Sequence, residues 1–222
     1  MSSENWKTNV FNELARVSQA ISSGRRLQLL ELLAQSERSV DQLAQMTRLS
    51  VANASQHLQN LLRAGLVKNR KEGQHVFYRI AGDGVVRLIA ALREVGESNL
   101  VEVQHLVRSY FSERDALEPV PATELLARVR KGLVTVIDVR PPEEFAAGHI
   151  RGALNVPLAE LEQHLHELPR SQEVVAYCRG PYCLLSVEAV DKLRRSGFDA
   201  RRLEEGYPEW KSSGLPIEGP AA

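Results

Sequence analysis

Both cysteines of this 222-residue chain fall in the stretch Tyr177-Cys-Arg-Gly-Pro-Tyr-Cys183, five positions apart in a turn rich in Gly and Pro. Thiols supply nucleophiles, redox couples and soft-metal ligands, and their setting decides among these. The opening, MSSENWKTNV, lacks a basic segment followed by an apolar one, so no secretory leader is read there and a cytoplasmic chain is expected. In a reducing compartment a lone cysteine pair reads as reactive or metal-binding and not as a structural staple.

The residues around the pair alternate between helical and strand patterns. Helices are expected over 122–130, 158–167 and 184–196, with a helical turn at 143–147, and strands over 134–138, 173–177 and 200–203. That order predicts an α/β domain with a mainly parallel sheet and flanking helices, whose ligands bind at the carboxyl ends of the strands. Cys178 stands at such an end. The loop Arg179-Gly180-Pro181-Tyr182-Cys183 and the helix after it let successive N–H groups and a helix N-terminus converge on the sulfur, with Arg179 adding positive charge. Each favours an anion, so the thiol pKa is expected below its ordinary value, with a thiolate poised for a sulfur or oxyanion substrate. A buried, inert cysteine is the alternative.

The first half of the chain has another character. The first 115 residues carry 15 Lys and Arg against 12 Asp and Glu, and the rest carry 13 against 16. Arg48, Arg63, Lys68, Arg70, Lys71 and Arg79 face Glu72 alone, a basic patch of the kind that meets phosphates. No apolar run approaches the roughly 20 residues that span a bilayer, so no membrane partner is expected. Trp6, Val10, Leu14, Val17 and Ile21 recur at helical spacing up to Gly24, and a second apolar helix covers 27–33. A short helix from Ser39 and a turn at 47–49 follow, and Ser50 is a natural N-cap for a helix over 51–64. Alternating strands flank Lys71-Glu-Gly-Gln74, a hairpin tip, so the unit reads as a mainly α winged helix-turn-helix. Two more helices, at 85–95 and from Leu100 to about Phe111, complete it. A charged, Pro-interrupted segment near 113–119 sets the domain boundary, giving domains at 1–114 and 118–222.

LSVANASQHLQNLLRAGLVKNRKEGQHVFYRI resembles the recognition helix and wing of the ArsR/SmtB family of winged-helix repressors, and the resemblance covers about residues 8–112. It implies binding to double-stranded operator DNA, with Asn53, Ser55, Gln56 and His57 as base-edge candidates and Arg70 and Lys71 holding phosphates from the wing. A structural place for His57 at the helix-turn-helix joint is the alternative. The family also implies a homodimer through the first and last helices of this domain, to which Trp6 and Val10 would contribute. Many relatives sense metals, yet this half has no cysteine, Asp83 and Glu94 lack a nearby His, and His105 stands alone on its helix. No metal or cofactor is therefore expected, and the signal must enter elsewhere.

VIDVRPPEEFAAGHIRGALNVPLAEL, the YCRGPYC loop and RRLEEGYPEWKSSGLPIE together resemble the rhodanese (sulfurtransferase) family over about residues 118–217. The resemblance implies a Cys178 persulfide, filled from a sulfane-sulfur donor and emptied to a thiol acceptor. Asp138, Arg140, Glu144, His149 and Gly152 match the family's first signature, read as mainly structural with Arg140 near the site, and Trp210 matches the closing one. Glu205 stands where the family carries a Gly. Related phosphatases place an Arg after a loop one residue longer, whereas Leu184 is six after Cys178 here, which argues against phosphatase activity. Thiosulfate-using relatives often carry a cation late in the loop, where this chain has Cys183, a second thiol able to attack a persulfide or sulfenate on Cys178.

The expectation is a transcriptional regulator, a repressor by family, whose rhodanese-like domain senses reactive sulfur or oxidant through Cys178, resolved by Cys183. Two alternatives stay open: a working sulfurtransferase with the site Cys178, Arg179, Gly180, Cys183 and Arg140, and a repressor responding to arsenite or a soft metal.

Overall fold

The computed structural model describes residues 3–111 and 119–220. They form two compact units, the first ending at Val86 and the second beginning at Arg87. Apart from Pro119, the segment expected to hold the domain boundary lies outside the described residues.

The first unit is a winged helix-turn-helix. It runs α1 (Ser3–Ile21), α2 (Gly24–Gln35), β1 (Arg38–Ser39), α3 (Val40–Thr47), α4 (Val51–Arg63), β2 (Val67–Glu72) and β3 (His75–Ile80). Local chemistry sets these ends. Ser39 caps α3 through a capping box, accepting from the Gln42 N–H at 3.2 Å while its own N–H donates to Gln42 Oε1 at 2.9 Å. Ser50 caps α4 by accepting from the Asn53 N–H at 3.2 Å. Gly73, at φ 60°, makes the hairpin turn that brings β2 and β3 into register, with Lys68 opposite Arg79. The core gathers Leu29, Leu30, Leu43, Leu58, Leu61 and Tyr78, all essentially inaccessible. Two details differ from expectation. Gly24 opens α2 where the pattern made it a stop for α1, and β1, which pairs with β3, is too short to carry a period.

The helix α5 (Asp83–Asn99) starts in the first unit and continues into the second, and α6 (Val101–Phe111) follows it. Among the described residues no helix is long and apolar enough to cross a membrane.

The rest of the second unit is an α/β layer structure: α7 (Ala122–Arg130), β4 (Val134–Asp138), α8 (Pro142–Ala147), β5 (His149–Ile150), β6 (Leu154–Asn155), α9 (Leu161–His164), β7 (Glu173–Tyr177), α10 (Leu184–Arg195), β8 (Ala200–Arg202), α11 (Tyr207–Ser212) and β9 (Ile217–Glu218). Strands β6, β4, β7 and β8 lie side by side in that order, all parallel. The helix expected over 158–167 starts only at Leu161 and, after His164, tightens into a 3-10 turn over Leu165–Glu167. Strands β5, β6 and β9 escaped the sequence reading, each being two residues long.

Alternation along β7 sends Val174, Ala176 and Cys178 to the core under α10, and Val175 and Tyr177 to the core around Trp210. At the end of β4, Arg140 and Asp138 form a wholly buried ion pair, with Arg140 Nη2 2.6 Å from Asp138 Oδ2 and 2.8 Å from the Gly148 carbonyl. Burial works against the guanidinium charge; the Asp138 carboxylate outweighs it and holds the pKa up. Replacing Arg140 with Ala would strand Asp138 without its buried partner. Arg140→Ala is expected to lose about 3–5 kcal/mol, read from urea unfolding followed through buried Trp210.

Candidate functional site

Cys178 follows directly on β7 and is 2 % exposed, while Cys183 precedes α10 as its N-cap residue and is partly buried. The two are joined as a disulfide, their Cα atoms 6.2 Å apart. A disulfide sulfur holds no titratable proton, so the lowered thiol pKa expected from the sequence concerns the reduced form. The loop is held at several points. The Cys178 carbonyl accepts from the Tyr207 N–H at 3.0 Å, the Gly180 carbonyl from the Cys183 N–H at 3.0 Å, and the Cys183 carbonyl from the Ser186 hydroxyl at 3.2 Å.

Arg179, expected to lend positive charge to the sulfur, is committed to another charge. Its Nε and Nη2 grip Glu144 at 2.7–3.1 Å, and that carboxylate, on α8, is wholly buried. The pair ties the start of the loop to α8 and leaves less cationic field for the cysteines. Arg140, expected near the site, is inaccessible to a ligand: it is paired with Asp138, and its guanidinium carbon lies 4.4 Å from the Tyr207 ring centroid and 5.6 Å from that of Tyr177. His149 stacks on Phe145 and engages its carbonyl at 3.0 Å, and Gly152 takes φ 77° in a turn. Of the residues matched to the first signature, Glu144 holds the loop directly through Arg179, and the others bond among themselves and to neighbouring elements.

Gly206 backs the loop. A Cβ at this position would overlap the backbone of Arg179 and Gly180, so bulk and not φ demands glycine there. The neighbouring Glu205 fits its turn by accepting the Ala122 N–H at 3.1 Å, at the start of α7. Burial raises the Glu205 pKa. Sequence reasoning passed over Tyr182, whose hydroxyl donates to Glu97 Oε1 at 2.6 Å. The partners are 85 positions apart, and no local pattern links them.

On the first unit, Asn53 and Gln56 are exposed in the first two turns of α4, while Ser55 and His57 are partly buried. The His57 Nδ1 is buried without a hydrogen-bond partner among the described residues. Lys71 is exposed on β2. Arg70, the other wing cation, is already engaged, with Glu37 at 2.7 Å, with Glu72, and over the Phe77 ring at 4.7 Å. A phosphate would have to displace those carboxylates. Among the described residues no group of three or more His, Cys, Asp or Glu is placed to hold a metal ion.

Residues 121–213 match the family model described as the rhodanese-like domain, and residues 23–69 that described as bacterial regulatory protein, arsR family. The HTH-type transcriptional regulator Rv0324 of Mycobacterium tuberculosis is 42% identical over 96% of this chain and 93% of its own length. A sulfurtransferase of Allochromatium vinosum is 34% identical over 39% of this chain and 80% of its own. A homodimeric winged helix-turn-helix DNA-binding domain of Mycobacterium bovis, solved by NMR, is 42% identical over 46% of this chain and 93% of its own, with a TM-score of 0.42.

Because Gly206 packs directly on the loop backbone, Gly206→Ala is expected to destabilise the second unit by about 1–3 kcal/mol. The same variant should show more free thiol than the wild type in a fixed glutathione buffer, counted by alkylation and mass spectrometry.

Proposed function

Because the chain belongs to the ArsR family of winged-helix transcriptional regulators that carry a C-terminal rhodanese-like domain, we propose that it binds operator DNA as a homodimer and that sulfur chemistry at Cys178 and Cys183 tunes that binding. The observation that carries this reading is the pairing of the two cysteines at the carboxyl end of a central parallel strand.

The chemistry balances with a persulfide as donor. The Cys178 thiolate attacks the outer sulfur of a donor R–S–SH, forming the Cys178 persulfide and releasing R–S⁻. The Cys183 thiolate then attacks the inner sulfur, Cys178 Sγ; the disulfide forms and hydrosulfide leaves. Two cysteine thiols are oxidised and the sulfane sulfur is reduced. Leu184, at the position where an arginine would clamp phosphate, leaves this site to sulfur and not to phosphoryl groups. The sulfurtransferase reading shares the first step and differs only in the fate of the persulfide, which an external thiol would empty before Cys183 could act.

On the DNA side, Asn53, Ser55, Gln56 and His57 supply base-edge contacts from α4, and Lys71 supplies a phosphate contact with Arg70 as a conditional one. Exposed Trp6, Val10, Phe11 and Leu14 on α1, and Leu106 on α6, support a dimer built through those helices. Such a regulator acts in the compartment that holds the DNA.

Operator binding by fluorescence anisotropy tests the reading. A persulfide donor is expected to weaken wild-type affinity about a hundredfold, about 2.7 kcal/mol, reversibly with a dithiol, and to leave Cys178→Ser unchanged. Unaltered affinity despite full modification of Cys178 would move the sulfurtransferase reading to the front. Lys71→Ala should lower the salt slope of the dimer by about 2, one contact for each protomer, across all DNA sequences, whereas Gln56→Ala should relax base preference.

A further inference from the structure

Tyr182 lies inside the loop that the two cysteines close, next to Cys183, and its side chain reaches α5. The hydroxyl donates to Glu97 Oε1 at 2.6 Å, and the Arg93 guanidinium carbon sits 5.1 Å from the ring centroid. Arg93 also pairs with Glu209 of α11 at 3.1 Å, the two side chains being 13% and 14% exposed. Glu209 Oε2 in turn accepts the N–H of Gly206 at 3.2 Å, the residue that backs the loop at Arg179 and Gly180. Its neighbour Tyr207 donates its N–H to the Cys178 carbonyl. Helix α5 is thus tied to the Cys183 end of the loop through Tyr182 and to the Cys178 end through Glu209.

The chemistry of these ties suits transmission. The phenol–carboxylate bond is short, and partial desolvation together with Glu97 raises the phenol pKa, so the hydroxyl remains a donor at neutral pH. Tyr182 is separated from the disulfide by one peptide bond. A dithiol that gives two electrons and two protons to the Cys178–Cys183 bond leaves two thiols and its own disulfide, and the freed sulfurs must then part to van der Waals separation. That movement shifts Cys183, and Tyr182 with it. Glu97 and Arg93 both stand on α5, which is continuous over Asp83–Asn99.

Resting on the sulfur-sensing reading above, we propose that Tyr182 is a positioning residue that couples the Cys178–Cys183 state to α5 through Glu97 and Arg93. The closed disulfide holds α5 in one setting and the open dithiol releases it.

Hydrogen–deuterium exchange of the full chain, disulfide-closed and dithiol-reduced, tests this, with alkylation and intact mass confirming each state. In the wild type, reduction is expected to speed exchange over residues 87–99 at least fivefold. In Tyr182→Phe, which keeps the ring and loses the hydroxyl, both states should exchange alike at the faster rate. Glu97→Ala removes the same bond from the helix side and should reproduce that result if the tyrosine variant fails to fold. Equal exchange in the two wild-type states, or a Tyr182→Phe variant that keeps the wild-type difference, would overturn the proposal. A merely structural Tyr182 would raise exchange while preserving the redox difference. If operator affinity responds to sulfur while α5 does not, the Tyr182 route falls and the sensing reading stands. If α5 responds and operator affinity does not, the sensing reading falls and takes with it the regulatory use of the coupling.

Discussion

The second unit depends on a carboxylate that water cannot reach. Glu144 is wholly buried, and Arg179 meets its charge with two nitrogens. Arg179 is also the first residue after Cys178, so the same pair that neutralises a buried anion sets where the cysteine loop begins. Loop position and core electrostatics cannot be varied separately. The Asp138–Arg140 pair does similar work one strand away, fixing the end of β4 beside the end of β7.

This arrangement separates roles that a glance at the arginines would merge. Neither Arg140 nor Arg179 is left uncommitted for an incoming substrate; both are held by carboxylates. The second cysteine, five residues on, closes a disulfide with the first across this loop.

On the first unit the same caution about charge applies. Arg70 is one of the two wing cations named from the sequence, yet Glu37 and Glu72 raise its pKa and occupy its nitrogens. Glu37 is 33 positions away, so no count of neighbouring charges reveals the pairing. Helix caps behave in the opposite way. Ser50 was readable as a cap, because the partner it bonds lies three residues ahead on the same chain, and the cap at Ser39 is local in the same way.

That contrast marks how much the sequence determined by itself. Period, capping and turn chemistry are local, so the winged helix, the parallel α/β sheet, the place of Cys178 at a strand end and the start of α10 near Leu184 were all legible before any coordinates. Two-residue strands such as β5 and β9 were not, because they exist only through each other's hydrogen bonds. Pairing across long separations decided the rest: Arg179 with Glu144, Arg70 with Glu37, Tyr182 with Glu97. A charged or phenolic side chain has the same appearance in sequence whether it is solvated or paired. Which it is depends on the low dielectric and the fixed neighbours that folding alone assembles.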